Sequence, residues 1–265
     1  MDFKDKSIIA MIHVPALPGT PKNSHSIDEI VAICLEEASV FDALDIETIM
    51  IENMHDLPYE KSKVSPEITA SMAVVARELK NKFTDKKFGI QILAGANKEA
   101  LAVAQAADFN FIRAEGFVFG HLADEGYIDS CASELMRYRK NIRAESIKIL
   151  TDIKKKHSSH SITADLDISE VAKAAQFFLS DAVIITGSHT GCEPSLEEIK
   201  KVKQNLDIPV ILGSGLTEDN IEKYYYEADA FIVGSFFKED GIWSNGLDKK
   251  RIEGFLSKVR MLKGF

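Results

Sequence analysis

The chain has 265 residues, of which 45% are hydrophobic and 28% charged, and its formal net charge is −9. These proportions are ordinary for a globular protein and exclude general disorder. The acidic balance argues against nucleic acid as a partner, because nucleic-acid binders usually present a basic face.

Cysteine usage and the first apolar run predict a cytoplasmic protein without an integral membrane segment. Cys34, Cys131 and Cys192 are far apart and form no Cys-x-x-Cys pair, so neither a disulfide framework nor a zinc site is expected. The first apolar run, residues 8–14, is interrupted by His13. It is too short to span a membrane, which needs about 20 apolar residues, and we interpret it as a buried strand.

Eight short apolar runs alternate with longer stretches of helical period. Such runs are typical of parallel strands covered on both faces, and strands separated by helices indicate βαβ units. The predicted strands are residues 8–13, 46–52, 88–93, 110–115, 147–153, 182–186, 209–213 and 230–234. The widest gap, 116–145, is predicted to be a long active-face loop followed by the fourth helix.

These elements favour an α/β fold, a single (β/α)8 TIM barrel over residues 1–265, since such barrels need about 250 residues. An open doubly wound sheet is the alternative. Helix start signals support the element boundaries: Asp167 is followed three residues later by Glu170, and Ser195 by Glu198, as in a capping box.

Polar residues stand at the ends of the predicted strands, where barrels of this fold carry their active sites. Strand residues alternate between faces, so His13 shares a side with Met11, and Glu52 with Met50. If the apolar partner fills the barrel, the polar one projects into its mouth. The candidate catalytic residues are His13, Glu52, Arg113, Asp152 and Lys154.

Each candidate suits a different step of acid–base chemistry. Glu52 and Asp152 are predicted to act as general acid and base, because a carboxyl group near apolar surface has a raised pKa. Arg113 would orient or neutralise the substrate, and a desolvated or crowded Lys154 would form a Schiff base with a carbonyl; a solvated lysine run is the alternative. His13 with Glu52 and Asp152 is compatible with a divalent metal, but no metal motif indicates one, so the cofactor stays unknown.

Two glycine-containing loops follow the last two predicted strands and predict a phosphate site. Glycine lets the backbone approach an anion, and amides at a helix N-terminus point towards it. Loops at these two positions bind phosphate in many barrels of this fold. The predicted phosphate-binding residues are Gly213, Ser214, Gly215, Gly234, Ser235 and Lys238, the last adding a positive charge.

Several longer segments carry a family resemblance. They include MIHVPALPG at 11–19, Glu52-Asn53, FIRAE at 111–115, DIKKKH at 152–157 and TGSHTG at 186–191. Together they resemble the BtpA/SgcQ family over nearly the whole chain. The resemblance implies a phosphate-binding (β/α)8 barrel but no settled reaction, since one branch is associated with photosystem I biogenesis and another with sugar-uptake genes.

Two departures from the family pattern affect the expected substrate. The family commonly has Arg-Val-Asn after strand four, where this chain has Arg113-Ala114-Glu115, and its Thr-Asp-Gln-Gly segment is Ala123-Asp124-Glu125-Gly126 here. An acid in place of a neutral amide changes hydrogen bonding and charge, so a different substrate preference is expected.

The residues therefore predict an enzyme acting on a phosphorylated small metabolite, either a sugar phosphate or a nucleotide-like compound, as a lyase, isomerase or hydrolase. The alternative is a non-catalytic assembly or regulatory factor that has kept the barrel. A homo-oligomer remains open.

Overall fold

The computed structural model describes residues 3, 5–155, 157–187 and 193–264. Its strands are β1 (Ser7–His13), β2 (Thr48–Glu52), β3 (Lys87–Gln91), β4 (Phe111–Ala114), β5 (His121–Ala123), β6 (Gly126–Ile128), β7 (Lys148–Ile153), β8 (Ser158–Ser159), β9 (Ala182–Ile185), β10 (Val210–Gly213) and β11 (Ala230–Val233). Eight of them form a closed barrel in the order β1-β11-β10-β9-β7-β4-β3-β2, with every pairing parallel. The predicted TIM barrel and its eight strands are confirmed.

An α-helix follows every barrel strand, as the fold requires. The helices are α1 (Ile27–Ala43), α2 (Pro66–Lys82), α3 (Asn97–Ala107), α4 (Ala132–Asn141), α5 (Ile168–Phe177), α6 (Leu196–Lys203), α7 (Ile221–Tyr225) and α8 (Lys249–Lys263). The capping box of Asp167 and Glu170 starts α5 as predicted, whereas Ser195 only accepts from the Glu198 amide. Within the described ranges, no helix is long and apolar enough to cross a membrane.

Two layers of apolar side chains hold the barrel together. The outer layer packs the helices against the outer strand faces, and the inner one fills the barrel. The inner layer includes Met11, Met50, Phe111 and Leu150, so the alternation predicted from the sequence is confirmed. Gly89 belongs to the same tier, since a Cβ there would lie 2.1 Å from the Phe111 ring; the ring occupies the space that a side chain on β3 would need.

A small antiparallel sheet is present that the sequence did not predict, and two of its strands lie in the predicted long loop after the fourth barrel strand. Strands β6, β5 and β8 pair in that order, and the turn between β5 and β6 carries Asp124 and Glu125. These strands are two or three residues long, too short to show an alternating pattern in the sequence. Their pairing fixes the segment that overhangs the barrel mouth.

Candidate functional site

A cavity of about 380 Å³ opens at the C-terminal ends of the barrel strands. This volume lies within the usual range for small-molecule sites. Met11 and Ile232, from the inner core, form part of its lining. Long polar side chains line one side, from β1 to β7, and glycine-containing loops line the other, after β10 and β11.

The polar side begins with one tier of four residues from four neighbouring strands. The strand register pairs His13 with Glu52 and Glu52 with Gln91. On the next two strands Ile90 pairs with Ile112, so the residues that follow them, Gln91 and Arg113, lie side by side. All four are buried and line the cavity. The projection of His13, Glu52 and Arg113 into the mouth agrees with the predicted alternation.

Gln91 was not among the predicted site residues. It is only 2% exposed, and its side-chain oxygen has no hydrogen-bond partner among the described residues. A buried polar atom without a partner is costly. Its strand-end position next to Glu52 was the signal that would have identified it.

Asp152 is tied to Arg113 by two hydrogen bonds. Arg113 Nε lies 2.9 Å from one carboxylate oxygen and Nη2 3.0 Å from the other, with the Asp152 side chain 1% exposed. Burial works to lower the pKa of Arg113, but the carboxylates of Asp152, Glu52 and Glu115 outweigh it and raise that pKa. This geometry orients Arg113, and the predicted acid–base role of Asp152 stays a prediction.

The same pairing bears on the metal hypothesis. Both oxygens of Asp152 accept from Arg113, so a cation at this place would compete with the guanidinium for them. The described part of the chain contains no group of three or more His, Cys, Asp or Glu side chains arranged to hold one.

Lys155 rather than Lys154 enters the mouth, which corrects the sequence prediction. Lys154 donates from Nζ to the Leu166 carbonyl at 2.5 Å and lies against a separate small pocket. Its φ of 46° is left-handed, which ends the strand alternation and turns the next side chain inward. Lys155 Nζ lies 3.0 Å from Glu115 Oε2, and both residues line the cavity.

Lys155 is held in its charged form. Burial works to lower its pKa, but the Glu115 carboxylate and its hydrogen bond outweigh this and raise the pKa above the ordinary value. A protonated amine is a poor nucleophile, so this lysine is suited to neutralising negative charge. Glu115 is itself fixed by Asn97, which exchanges two hydrogen bonds with its backbone.

The glycine side of the cavity is formed by the loops after β10 and β11. Gly213 and Gly234 occupy interior positions, and a Cβ on Gly234 would lie 3.3 Å from His13 Nε2. Ser214 and Gly215 have positive φ angles of 119° and 68°, and non-glycine residues with such angles concentrate at functional sites. The Ser214 hydroxyl is buried without a partner among the described residues. The predicted loops therefore do line the cavity.

Among the described residues, Arg251 lines this side of the cavity, whereas Lys238, which the sequence suggested, does not. Lys238 is 2% exposed, and its ammonium lies 2.5 Å from Glu37, directed away from the cavity. Arg251, in the first turn of α8, lines the cavity, donates from Nε to the Phe236 carbonyl at 2.8 Å and covers the Phe236 ring. Basic residues in the first turn of a helix are unfavourable to the helix dipole. Their presence at the start of α8 was the feature of the sequence that could have indicated a functional role for Arg251.

Trp243 fixes the orientation of His13. The Trp243 carbonyl lies 3.0 Å from His13 Nδ1, and the two rings meet edge to face. Because a carbonyl only accepts, Nδ1 carries the hydrogen. This places Nε2, the unprotonated nitrogen, towards Gly234 and the loop after β11. The sequence contained no signal for this contact.

Of the cysteines within the described ranges, Cys34 is buried and Cys131 is half-buried. Burial raises the pKa of Cys34 to about 12 and that of Cys131 to about 11. Cys192, which the sequence placed in an active-face loop, lies outside the described residues, as do Lys156 and residues 188–191.

Comparison with known proteins identifies the family. The chain matches the BtpA family over residues 4–261. It belongs to the BtpA family. A Caenorhabditis elegans relative, named as an uncharacterized mitochondrial protein, is 49% identical, with 97% of this chain and 94% of the relative aligned. The photosystem I biogenesis protein BtpA of Synechocystis is 29% identical, over 94% of this chain and 86% of its own length.

Solved structures share the barrel at low sequence identity. Thiamine phosphate pyrophosphorylase from Pyrococcus furiosus has a TM-score of 0.57 at 15% identity, covering 98% of this chain and 97% of its own. Phosphoribosyl anthranilate isomerase from Thermus thermophilus has a TM-score of 0.58 at 13% identity, covering 97% and 99%. A 3-hexulose-6-phosphate synthase has a TM-score of 0.58 at 13% identity, covering 95% and 99%. These likenesses establish the fold alone.

Proposed function

We propose that this BtpA-family protein is an enzyme that acts on a phosphorylated small metabolite, a sugar phosphate or a nucleotide-like compound. The observation that carries the proposal is the division of the cavity into two chemically different sides. One side has backbone loops, the guanidinium of Arg251 and the buried Ser214 hydroxyl, which has no partner among the described residues. The other side has a buried tier of polar groups, three of them ionisable. The loop side suits anion binding, and the polar tier suits proton transfer.

The phosphate is bound by the loops Gly213–Gly215 and Gly234–Ser235, with Arg251 supplying positive charge. Arginine suits this role because its planar fork matches phosphate oxygens. The remainder of the substrate then lies over the polar tier, where Glu52 and His13 transfer the proton. Arg113, oriented by Asp152, stabilises negative charge that develops on the substrate, a contribution that is large in a site shielded from water.

Names of structural neighbours support this choice of substrate class. The three solved barrels described above are named for thiamine phosphate, phosphoribosyl anthranilate and hexulose 6-phosphate. A proton transfer at a carbonyl or anomeric carbon, as in a lyase, isomerase or hydrolase, fits the groups present. The cytoplasm stays our predicted location, although the worm relative is named as mitochondrial.

A thermal-shift screen against inorganic phosphate and a panel of phosphorylated metabolites tests the proposal, because a ligand that binds the folded state raises apparent stability. We expect at least one phosphorylated compound to stabilise the protein, and Arg251→Gln to weaken that effect. Arg260→Gln, on the exposed face of the same helix, is the matched control. Absence of stabilisation by every phosphorylated compound and by phosphate itself would refute the proposal.

A second candidate, an assembly factor without catalysis, is favoured by one observation: the Synechocystis relative is named as a photosystem I biogenesis protein. It predicts that Glu52→Gln leaves cellular function intact in a host that depends on the protein. Loss of that function in a folded Glu52→Gln variant would exclude this candidate.

A further inference from the structure

The end of the cavity opposite the phosphate loops is rich in carboxylates. Glu52, Glu115, Asp124, Glu125 and Asp152 all line it. Asp152 is neutralised by a bidentate arginine, and Glu115 by a lysine at 3.0 Å. The described structure shows no ion pair for Asp124 or Glu125, which the turn between β5 and β6 projects over the mouth.

Glu125 presents a carboxylate at this end, and its charge contributes to raising the pKa of Lys155. Its Oε2 atom is buried, although the residue is half exposed, and it has no hydrogen-bond partner within the described ranges. A carboxylate oxygen in this position favours a donor, above all a charged one, because charge-assisted hydrogen bonds are about twice as strong as neutral ones.

Gln91 is a second and independent indication. Its side-chain oxygen is also an acceptor without a partner in the described structure, and this residue is 2% exposed. It lies on β3, whereas Glu125 comes from the overhanging turn, so the two unpaired acceptors reach the cavity from different elements.

The local field is negative as well. Tyr59 lines the same cavity, and its pKa is raised by burial and by the charges of Glu52, Glu115 and Glu125. Arg113 and Lys155 each pair with one of the carboxylates at this end. An ammonium group on the substrate would offset part of the remaining negative charge and offer three donors, which a neutral hydroxyl would not.

We infer that the substrate is a phosphorylated amine, with its phosphate against the loops after β10 and β11 and its protonated amino group at the end formed by Gln91 and Glu125. This inference rests on the proposed function and narrows its substrate class. Glu125 is a specificity-determining residue in this arrangement. The reacting groups Glu52 and His13 lie between the two ends.

Calorimetric titration with two matched probes tests the inference. Glucosamine 6-phosphate and glucose 6-phosphate differ only by an amine in place of a hydroxyl. At neutral pH we expect the amine to bind about tenfold more tightly, the difference between a charge-assisted and a neutral hydrogen bond. Glu125→Gln, which keeps shape and removes charge, should abolish most of that preference.

Glu78→Gln is the control, since it makes the same change on the exposed face of α2 and should keep the full preference. Equal affinity of the wild-type protein for both probes, or a preference that survives in Glu125→Gln, overturns the inference and leaves the proposed function standing. If inorganic phosphate binds and neither sugar phosphate does, the inference is overturned in the same way. If phosphate and all phosphorylated probes fail to bind, the proposed function itself is refuted.

Discussion

Replacing Asp152 by asparagine tests how much the Asp152–Arg113 ion pair in the barrel mouth contributes to stability. The two side chains are 1% and 10% exposed and share two hydrogen bonds at 2.9 Å and 3.0 Å. The asparagine side chain would keep the volume of the aspartate, lose its charge and replace one acceptor with a donor that faces the guanidinium. The buried guanidinium would lose the carboxylate to which it is hydrogen-bonded, and only the charges of Glu52 and Glu115 would remain near it.

The expected cost follows from this burial. Removing one partner of a buried ion pair destabilises by about 3–5 kcal/mol. For a chain of this size, each kcal/mol lowers the melting temperature by about 2–4 °C, so Asp152→Asn should melt roughly 6–20 °C below wild type. The double variant Arg113→Met/Asp152→Leu should recover much of the loss, since an apolar pair of similar volume needs no counter-charge.

Circular dichroism melts and urea titrations measure both quantities. Glu145→Gln is the control, because it breaks an ion pair with Lys140 in which both side chains are exposed, and such pairs contribute little. A melting temperature for Asp152→Asn within about 2 °C of wild type, where about 6 °C is the least expected, would show that the pair is not held as described.

Three further predictions concern the barrel and its rim. Burial, together with Lys155, lowers the pKa of His121 to about 4. Because the unfolded chain takes up this proton at a higher pH than the folded one, the free energy of unfolding should fall as pH drops from about 6.5 to about 4. Urea titrations at a series of pH values should show a weaker pH dependence for His121→Gln. Gly89→Ala sets a Cβ 2.1 Å from the Phe111 ring and should cost about 1–3 kcal/mol, less in a Phe111→Leu background. Lys155→Met leaves Glu115 without its buried partner and should lower the melting temperature, whereas a change confined to ligand affinity would contradict the ion pair.

The sequence was sufficient for the barrel because strand and helix periods are local signals. Each predicted strand agrees with an observed one to within two residues at either end, and the alternation of Met11 with His13 correctly placed the polar tier. The small sheet of β5, β6 and β8 was missed for the same reason: strands of two or three residues carry too few positions to reveal a period.

The site was less accessible to sequence reasoning, because charge pairing is decided in three dimensions. Lys154 and Lys155 are adjacent, and only a left-handed backbone angle decides which one faces the mouth. Lys238 follows the predicted phosphate loop, yet its ammonium is bound by a glutamate 201 residues away in the chain. The cation that does reach this loop, Arg251, comes from the following helix.

Gly234 joins the two sides of the cavity, and its replacement tests whether they work together. A Cβ at this position would lie 3.3 Å from His13 Nε2 and 3.4 Å from the Met11 Cβ. The imidazole cannot move away without lengthening its 3.0 Å contact with the Trp243 carbonyl. Gly234→Ala should therefore cost about 1 kcal/mol of stability, shift the His13 ring resonances in an NMR spectrum and weaken binding of phosphorylated compounds.

Gly246→Ala provides the comparison, since nothing lies within 4 Å of a Cβ at that position. If Gly234→Ala binds the same ligands as tightly as Gly246→Ala and leaves the His13 resonances unchanged, the imidazole does not lie against the phosphate loop. A shift of the His13 resonances without loss of affinity would mean that Nε2 faces a part of the cavity that the phosphate does not occupy. The two sides of the cavity would then act independently. Loss of affinity together with that shift would support a single substrate that spans both, with its phosphate next to the group that moves its proton.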